Sequence, residues 1–261
     1  MDFYVDLSKE KLPKESSTLF FNKKDIEKID DNLIVSYKNS FYNFVFPNFN
    51  SIDFDFFISI CCLLKEKGSV LVDIDYKFLL KLINSKKRYS KKEFFTEFKN
   101  FTDKAINIYF INKAIDNNSN RNYTYCSVFS KIELNEKEGR LIFLLNDVFF
   151  DILNNFKNGF YSSFLLKTFL SLKRKYSKML YILLVQFIYK GSFYIDLKDF
   201  YFYLSLDLNA YKNLGVLEQR ILNPIIDELQ TIPNLINLSY QKIKKDKTNP
   251  KSKVIALHFT F

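Results

Sequence analysis

Apolar residues in the last fifth of the chain recur first with the period of a helix and then with that of a strand. In 211–230, YKNLGVLEQRILNPIIDELQ, one face carries Leu214, Leu217, Ile221, Leu222, Ile225, Ile226 and Leu229, and the other Asn213, Gln219, Arg220 and Asn223. A strand is expected over 235–241 and an alternating one over 254–261. Between them lie Lys242, Lys244, Lys245, Lys247, Lys251 and Lys253, with Asp246 and Pro250. Helix, strand, basic loop, strand is the end of a winged helix, a form of helix-turn-helix. In that form a helix can enter a DNA groove while lysines reach phosphate.

Upstream, 1–20 has mixed charge and little periodicity and reads as a flexible N-terminal arm. A short polar helix is expected over 21–30 and a strand over 32–37. Asn50 or Ser51 caps a helix running to about Lys67, with Phe54, Phe57, Ile60, Cys61 and Leu64 inward, and Gly68 ends it. A strand over 69–74 and a short helix over 76–82 come next. Ser90 caps a further helix with Phe94, Phe98 and Phe101 inside, and Glu93 completes a capping box. Strands are expected over 106–112, 121–134 and 140–145, then a helix to about Phe156 and a break at Gly159. A short helix from Ser162 to Leu172 should lead into a long one over 173–190. Lys173, Arg174, Lys175 and Lys178 crowd the first turn of that helix, where cations oppose the helix dipole. Either an anionic partner or plain solvation accounts for them.

Part of this order occurs twice. KGSVLVDI from Lys67 matches KGSFYIDL from Lys190, an offset of 123 (190 − 67). At that offset Phe94 falls on Leu217, Phe98 on Ile221 and Ile106 on Leu229, so the inner faces of two helices coincide. Beyond it, the strand from Ile106 pairs with one from Ile236. The fold class expected is therefore α+β: two tandem winged-helix domains related by internal duplication. Two such units in tandem can place two helices about one helical turn apart, ~34 Å, on one face of a duplex. That arrangement suits direct repeats better than palindromes.

Composition sharpens this only partly. The net charge of +10 favours an anionic partner without identifying it. Phe 30 and Tyr 17 with no Trp read mainly as core. The three cysteines, Cys61, Cys62 and Cys126, make no metal spacing, and no cofactor is expected. The polar N-terminus lacks the apolar stretch of a signal peptide, and the apolar runs are too short to span a bilayer, so a cytoplasmic location without membrane contact is expected. The lone His258 falls within a strand pattern, the glycines form no phosphate loop, and no nucleophile motif occurs. Nothing here points to an enzyme.

The run SLKRKYSKMLYILLVQF from Ser171, then GSFYIDLKDF from Gly191, LEQRILNPIIDELQ from Leu217 and a closing IALHFTF resembles the iteron-binding plasmid replication initiators of the Rep_3 type. Arg220, Leu222, Pro224, Ile226, Glu228 and Leu229 keep the pattern of that family's recognition helix, whereas Leu217, Glu218 and Gln219 depart from its aromatic and basic residues. The resemblance covers about 160–261 well and 30–157 by element order. It implies a first winged-helix domain over 21–157, used in dimerisation and DNA binding, and a second over 158–261 as the main iteron-binding domain. It also implies binding of double-stranded DNA at direct repeats in a plasmid origin, melting of an AT-rich segment and recruitment of the host replicative helicase and initiator protein. A homodimer through the first domain and autorepression follow from the same resemblance.

The phosphate contacts expected are Lys173, Arg174, Lys175, Lys178, Lys242, Lys244, Lys245, Lys247 and Lys251, with Lys86, Lys87, Arg88 and Lys91 in the first domain. Base reading would fall to Gln219, Arg220 and Asn223, and to Lys92, Thr96 and Lys99. Arg220 could instead pair with Asp227 or Glu228. The alternatives are a winged-helix transcriptional repressor, a nicking replication enzyme, and an interaction module whose lysines only confer solubility.

Overall fold

The computed structural model describes residues 18–261 apart from 31, 68–70, 84–87, 116–120, 155, 158–159, 208, 212, 247 and 250–251. The expected helix stop at Gly68 and break at Gly159 lie outside the described residues. The chain enters through β1 (Thr18–Phe21), β2 (Ile34–Lys38) and β3 (Phe44–Val45). The polar helix expected over 21–30 is a 3-10 segment, Lys23–Lys28.

α1 (Ser51–Leu64) starts at Asn50, whose side chain accepts the Asp53 N–H at 3.0 Å while the Asp53 carboxylate accepts the Asn50 N–H at 2.7 Å. The expected inner face is buried, and so are Phe56, Ile58 and Leu63, making α1 the central helix of the first unit. β4 (Leu71–Asp75) turns Val72 and Ile74 inward, and Asp75 caps α2 (Tyr76–Leu82) by accepting the Lys77 N–H at 2.8 Å. The Ser90–Glu93 capping box forms at the head of α3 (Lys91–Ala105), and Phe94, Phe98 and Phe101 are buried as expected. The phenylalanines are core: Phe56 meets Phe98 edge-on with ring centroids 4.9 Å apart.

β5 (Tyr109–Ile115) and β6 (Arg121–Ser127) pair with each other, and β3 flanks β5. β7 (Phe129–Asn135) and β8 (Arg140–Leu145) form the next hairpin, so the strand expected over 121–134 is two strands in different sheets. Gly139 ends the turn at φ +75°, and a Cβ there would sit 2.9 Å from the Tyr76 ring, so a larger residue would be strained and would have to displace that ring. The sheet order is β1-β4-β8-β7, with β1 parallel to β4. Residues 18–20, expected in the arm, are thus sheet residues.

After α4 (Asp147–Asn154) comes β9 (Tyr161–Leu165), where a helix was expected. Its alternation turns Ser162 and Phe164 inward, and it pairs antiparallel with β2 from Ile34↔Leu165 to Lys38↔Tyr161. This pairing ties the chain beyond residue 160 into the first unit, so an expected division at 157/158 falls within that unit. α5 (Leu166–Ser171) and α6 (Lys175–Val185) follow, and α6 is shorter at both ends than the helix expected over 173–190.

The second unit repeats the first. β10 (Ser192–Asp196) and α7 (Leu197–Tyr203) lead to α8 (Leu214–Leu217), a π-helical segment Glu218–Leu222 and α9 (Asn223–Leu229). β11 (Ser239–Lys244) and β12 (Val254–Thr260) close the chain, after a 3-10 turn where the 235–241 strand was expected to begin. The order β10-β12-β11 is the order β4-β8-β7, antiparallel throughout in both. The chain is therefore a tandem pair of winged helices. By sheet position β11 corresponds to β7, not to the strand near Ile106 with which the sequence offset paired it. The β5–β6 hairpin is inserted ahead of β7 and shifts the register.

α6 lies between α1 and α9, and from Ser177 to Val185 every residue is buried. Among them is Lys178, expected to be a surface cation facing DNA. Its side chain is 0 % exposed; Nζ pairs with Asp55 of α1, donates to the Ser51 carbonyl at 3.1 Å and sits 5.3 Å from the Phe169 ring centre. Burial raises the Asp55 carboxyl to about 6, against the pull of Lys178, and lowers the lysine against the pull of Asp55. The pair holds α6 on α1. Replacing Asp55 with Asn strands the ammonium and should cost ~3–5 kcal/mol in urea unfolding, whereas Asp55→Leu with Lys178→Met should regain most of the loss. Equal losses in both proteins would mean that packing, not charge, dominates there.

Candidate nucleic-acid interface

Asn213 opens the helix by accepting the Gly215 N–H at 2.8 Å. Leu217, Ile221, Leu222, Ile225, Ile226 and Leu229 are buried, while Gln219, Arg220, Asn223 and Asp227 are exposed. Pro224 lies inside the helix without an N–H to donate, and its ring would press on the carbonyl one turn back. The helix widens there: Glu218–Leu222 is π-helical, and the Asn223 N–H bonds the Glu218 carbonyl.

β11 passes beside this helix. The Tyr240 hydroxyl lies 3.0 Å from Glu218 Oε1 and 3.3 Å from Asn223 Oδ1, and Lys242 Nζ lies 2.9 Å from Glu218 Oε1. Burial and the Glu218 carboxylate together push the Tyr240 phenol up to about 12. The wing is ordered from within. Lys245 N–H bonds the Lys253 carbonyl at 2.9 Å, Asp246 N–H bonds Ser252 Oγ at 2.9 Å, and Asp246 Oδ1 accepts the Thr248 hydroxyl and N–H. The Thr248 hydroxyl and backbone N–H hold the Asp246 carboxyl below its usual range.

The expected site residues divide accordingly. Gln219, Arg220, Asn223 and Lys245 are exposed on the second unit, and Arg220 makes no ion pair among the described residues. Of the two anions that could have taken it, Asp227 is exposed, and Glu228 instead accepts the backbone N–H groups of Lys173 and Arg174 at 2.6 and 3.3 Å and lies 3.6 Å from the Arg174 guanidinium. Lys173 is exposed, and Lys175 lies 4.6 Å from the Tyr176 ring centre. Lys178 is removed from the set by burial, and Lys242 is held by Glu218. Lys244 is half-buried. On the first unit Arg88 is exposed, and Lys92, Thr96 and Lys99 form an exposed face of α3, with the Thr96 hydroxyl bonded to the Lys92 carbonyl. Lys91 reaches the Lys137 carbonyl at 3.0 Å. Lys86, Lys87, Lys247 and Lys251 lie outside the described residues. The first unit's turn, 136–139, carries Glu136, Lys137 and Glu138, so the basic wing belongs to the second unit alone.

Sequence reasoning missed the pairing of Glu218 with Lys242 and Tyr240, and offered Glu228 to Arg220 rather than to the Lys173–Arg174 turn. A signal existed for the first: an acid stands where the resembled pattern has a base.

A strand, two helices and a winged hairpin, built twice on the same strand order, define a tandem winged-helix protein. Residues 34–185 match the family described as Initiator Replication protein, WH1, and residues 196–261 match Initiator Rep protein, WH2. The chain belongs to this family of replication initiator proteins. It is 22% identical over 201 residues to "Probable replication protein rep" of Bifidobacterium longum (strain NCC 2705), a match spanning 76% of this chain and 64%, just under two thirds, of that protein. The crystal structure of Pi initiator protein in complex with iteron DNA shares its fold, with a TM-score of 0.65 at 15% identity over 88% of this chain and 97% of that one.

Arg220→Ala should weaken binding to a specific duplex by ~1–3 kcal/mol and relax sequence preference, measured by anisotropy against random DNA. Equal loss on both duplexes would exclude base reading by this residue. Replacing Lys245 and Lys253 with Gln should flatten the salt dependence by about two units.

Proposed function

We propose that this chain initiates plasmid replication by binding direct repeats in an origin as a sequence-specific double-stranded DNA-binding protein. The observation that carries this reading is the second unit's exposed Gln219, Arg220 and Asn223 beside a basic wing, within a chain whose two halves match the two domains of one initiator family. The crystal structure of Pi initiator protein with iteron DNA supports it by likeness of fold. A second winged helix in the same polypeptide lets one chain engage two successive stretches of duplex without dimer symmetry, which direct repeats require.

In this reading the bound chain promotes melting of a neighbouring AT-rich segment and recruits the host helicase and initiator protein. It acts in the cytoplasm, dimerises through the first unit, and works as a binding protein rather than a nuclease. The chain's one histidine, His258, lies on β12 opposite Tyr194 and Gln241, and among the described residues no group of three or more His, Cys, Asp or Glu is placed to hold a metal. No helix among them is long and apolar enough to cross a membrane.

Footprinting the chain on the DNA that flanks its gene should protect direct repeats of about two helical turns, ~21 bp, next to an AT-rich segment. Protection of a lone inverted repeat at a promoter would replace this reading with a transcriptional repressor. Nicking of supercoiled DNA carrying that region, with magnesium present, would replace it with a nicking enzyme.

A further inference from the structure

Glu218 is an acid on the face expected to meet DNA, and two contacts hold it in place. Its Oε1 lies 2.9 Å from Lys242 Nζ and 3.0 Å from the Tyr240 hydroxyl, and Tyr240 is also 3.3 Å from Asn223 Oδ1. The Glu218 side chain is 22% exposed and that of Lys242 42% exposed, so both ends of the pair remain accessible from solvent. We propose that Glu218, anchored by Tyr240, sets the phosphate affinity of the DNA interface, because it withholds Lys242 from phosphate and so weakens binding to duplex of any sequence. This rests on the DNA-binding reading above.

Affinity for arbitrary duplex comes from phosphates neutralised by cations, each adding about 0.9 to the salt slope. A lysine already paired with a carboxylate contributes little to that sum, and the carboxylate itself is repelled by phosphate. Contacts from Gln219, Arg220 and Asn223 to base edges carry no such penalty. Pairing Lys242 internally therefore lowers affinity for duplex of any sequence and leaves the base contacts to choose between sequences. Tyr240 gives the acid a fixed position: a phenol donating to a carboxylate forms a charge-assisted bond, stronger than one between neutral groups. The same phenol borders Asn223, so the acid, the lysine and one base-reading candidate share a single hydrogen-bonded cluster.

The test uses the full chain and two duplexes, one of random sequence and one carrying the repeats that flank the gene. Glu218→Gln keeps the shape and removes the charge. It should raise affinity for both duplexes about 3- to 10-fold at low salt and steepen the salt slope by about one unit. Adding Lys242→Gln to that variant should return the slope to the wild-type value. An unchanged slope in Glu218→Gln overturns the inference, and so does a steepened slope that the double variant fails to reverse. A wild-type chain that binds random duplex but shows no preference for repeats overturns the initiator reading instead, and leaves the slope comparison valid.

Discussion

The structure depends on how the N-terminus of α6 is held. That helix begins at Lys175, with Lys173 and its N-cap Arg174 just before it, at the end where the helix dipole is already positive. Two carboxylates from other helices answer this charge. Glu228 of α9 accepts the Lys173 and Arg174 N–H groups, and Asp55 of α1 pairs with Lys178 one turn further in. One acid belongs to the first winged helix and the other to the helix that carries the exposed Gln219, Arg220 and Asn223 of the second. The basic turn is therefore a seam between the units before it is a surface for any ligand. Lys173 and Arg174 remain exposed there.

The two units share a plan but differ in what surrounds it. In the first, β1 covers one edge of the core sheet, β5 and β6 add a separate sheet with β3, and β2 and β9 add another. Phenylalanine rings fill the space between these layers, as between Phe44 and Phe149 at 5.0 Å. The second unit has three strands and a long basic wing. The elaborated unit has a short turn bearing two acids, and the plain unit has the lysines.

Much of this was legible in the chain because it is local. The Ser90–Glu93 box, the stripe from Leu214 to Leu229 and the alternation of β8 each follow from a few neighbouring residues, and the structure reproduces them. What escaped depended on distant partners. β9 is five residues of weak alternation that become a strand only beside β2, more than a hundred positions earlier. Lys178 looks like every other lysine until Asp55 and Ser51 close over it. Glu218 looks like a flaw in a recognition helix until Tyr240 and Lys242 come alongside. An inserted hairpin hid the proper counterpart of β11, since an offset in sequence cannot see a sheet position.

Pro224 has an angular consequence. A π-helical turn holds one residue more than the helix around it, so the segments on either side are out of phase by about one residue's rotation, ~100°. Gln219 and Arg220 lie within the widened turn, and Asn223 lies at its end. Their relative bearing is thus set by a backbone dislocation, not by the regular screw of an α-helix. A homologue with the same three side chains but an unbroken helix would present them in a different fan. Conservation of the letters alone would not then imply the same DNA sequence read.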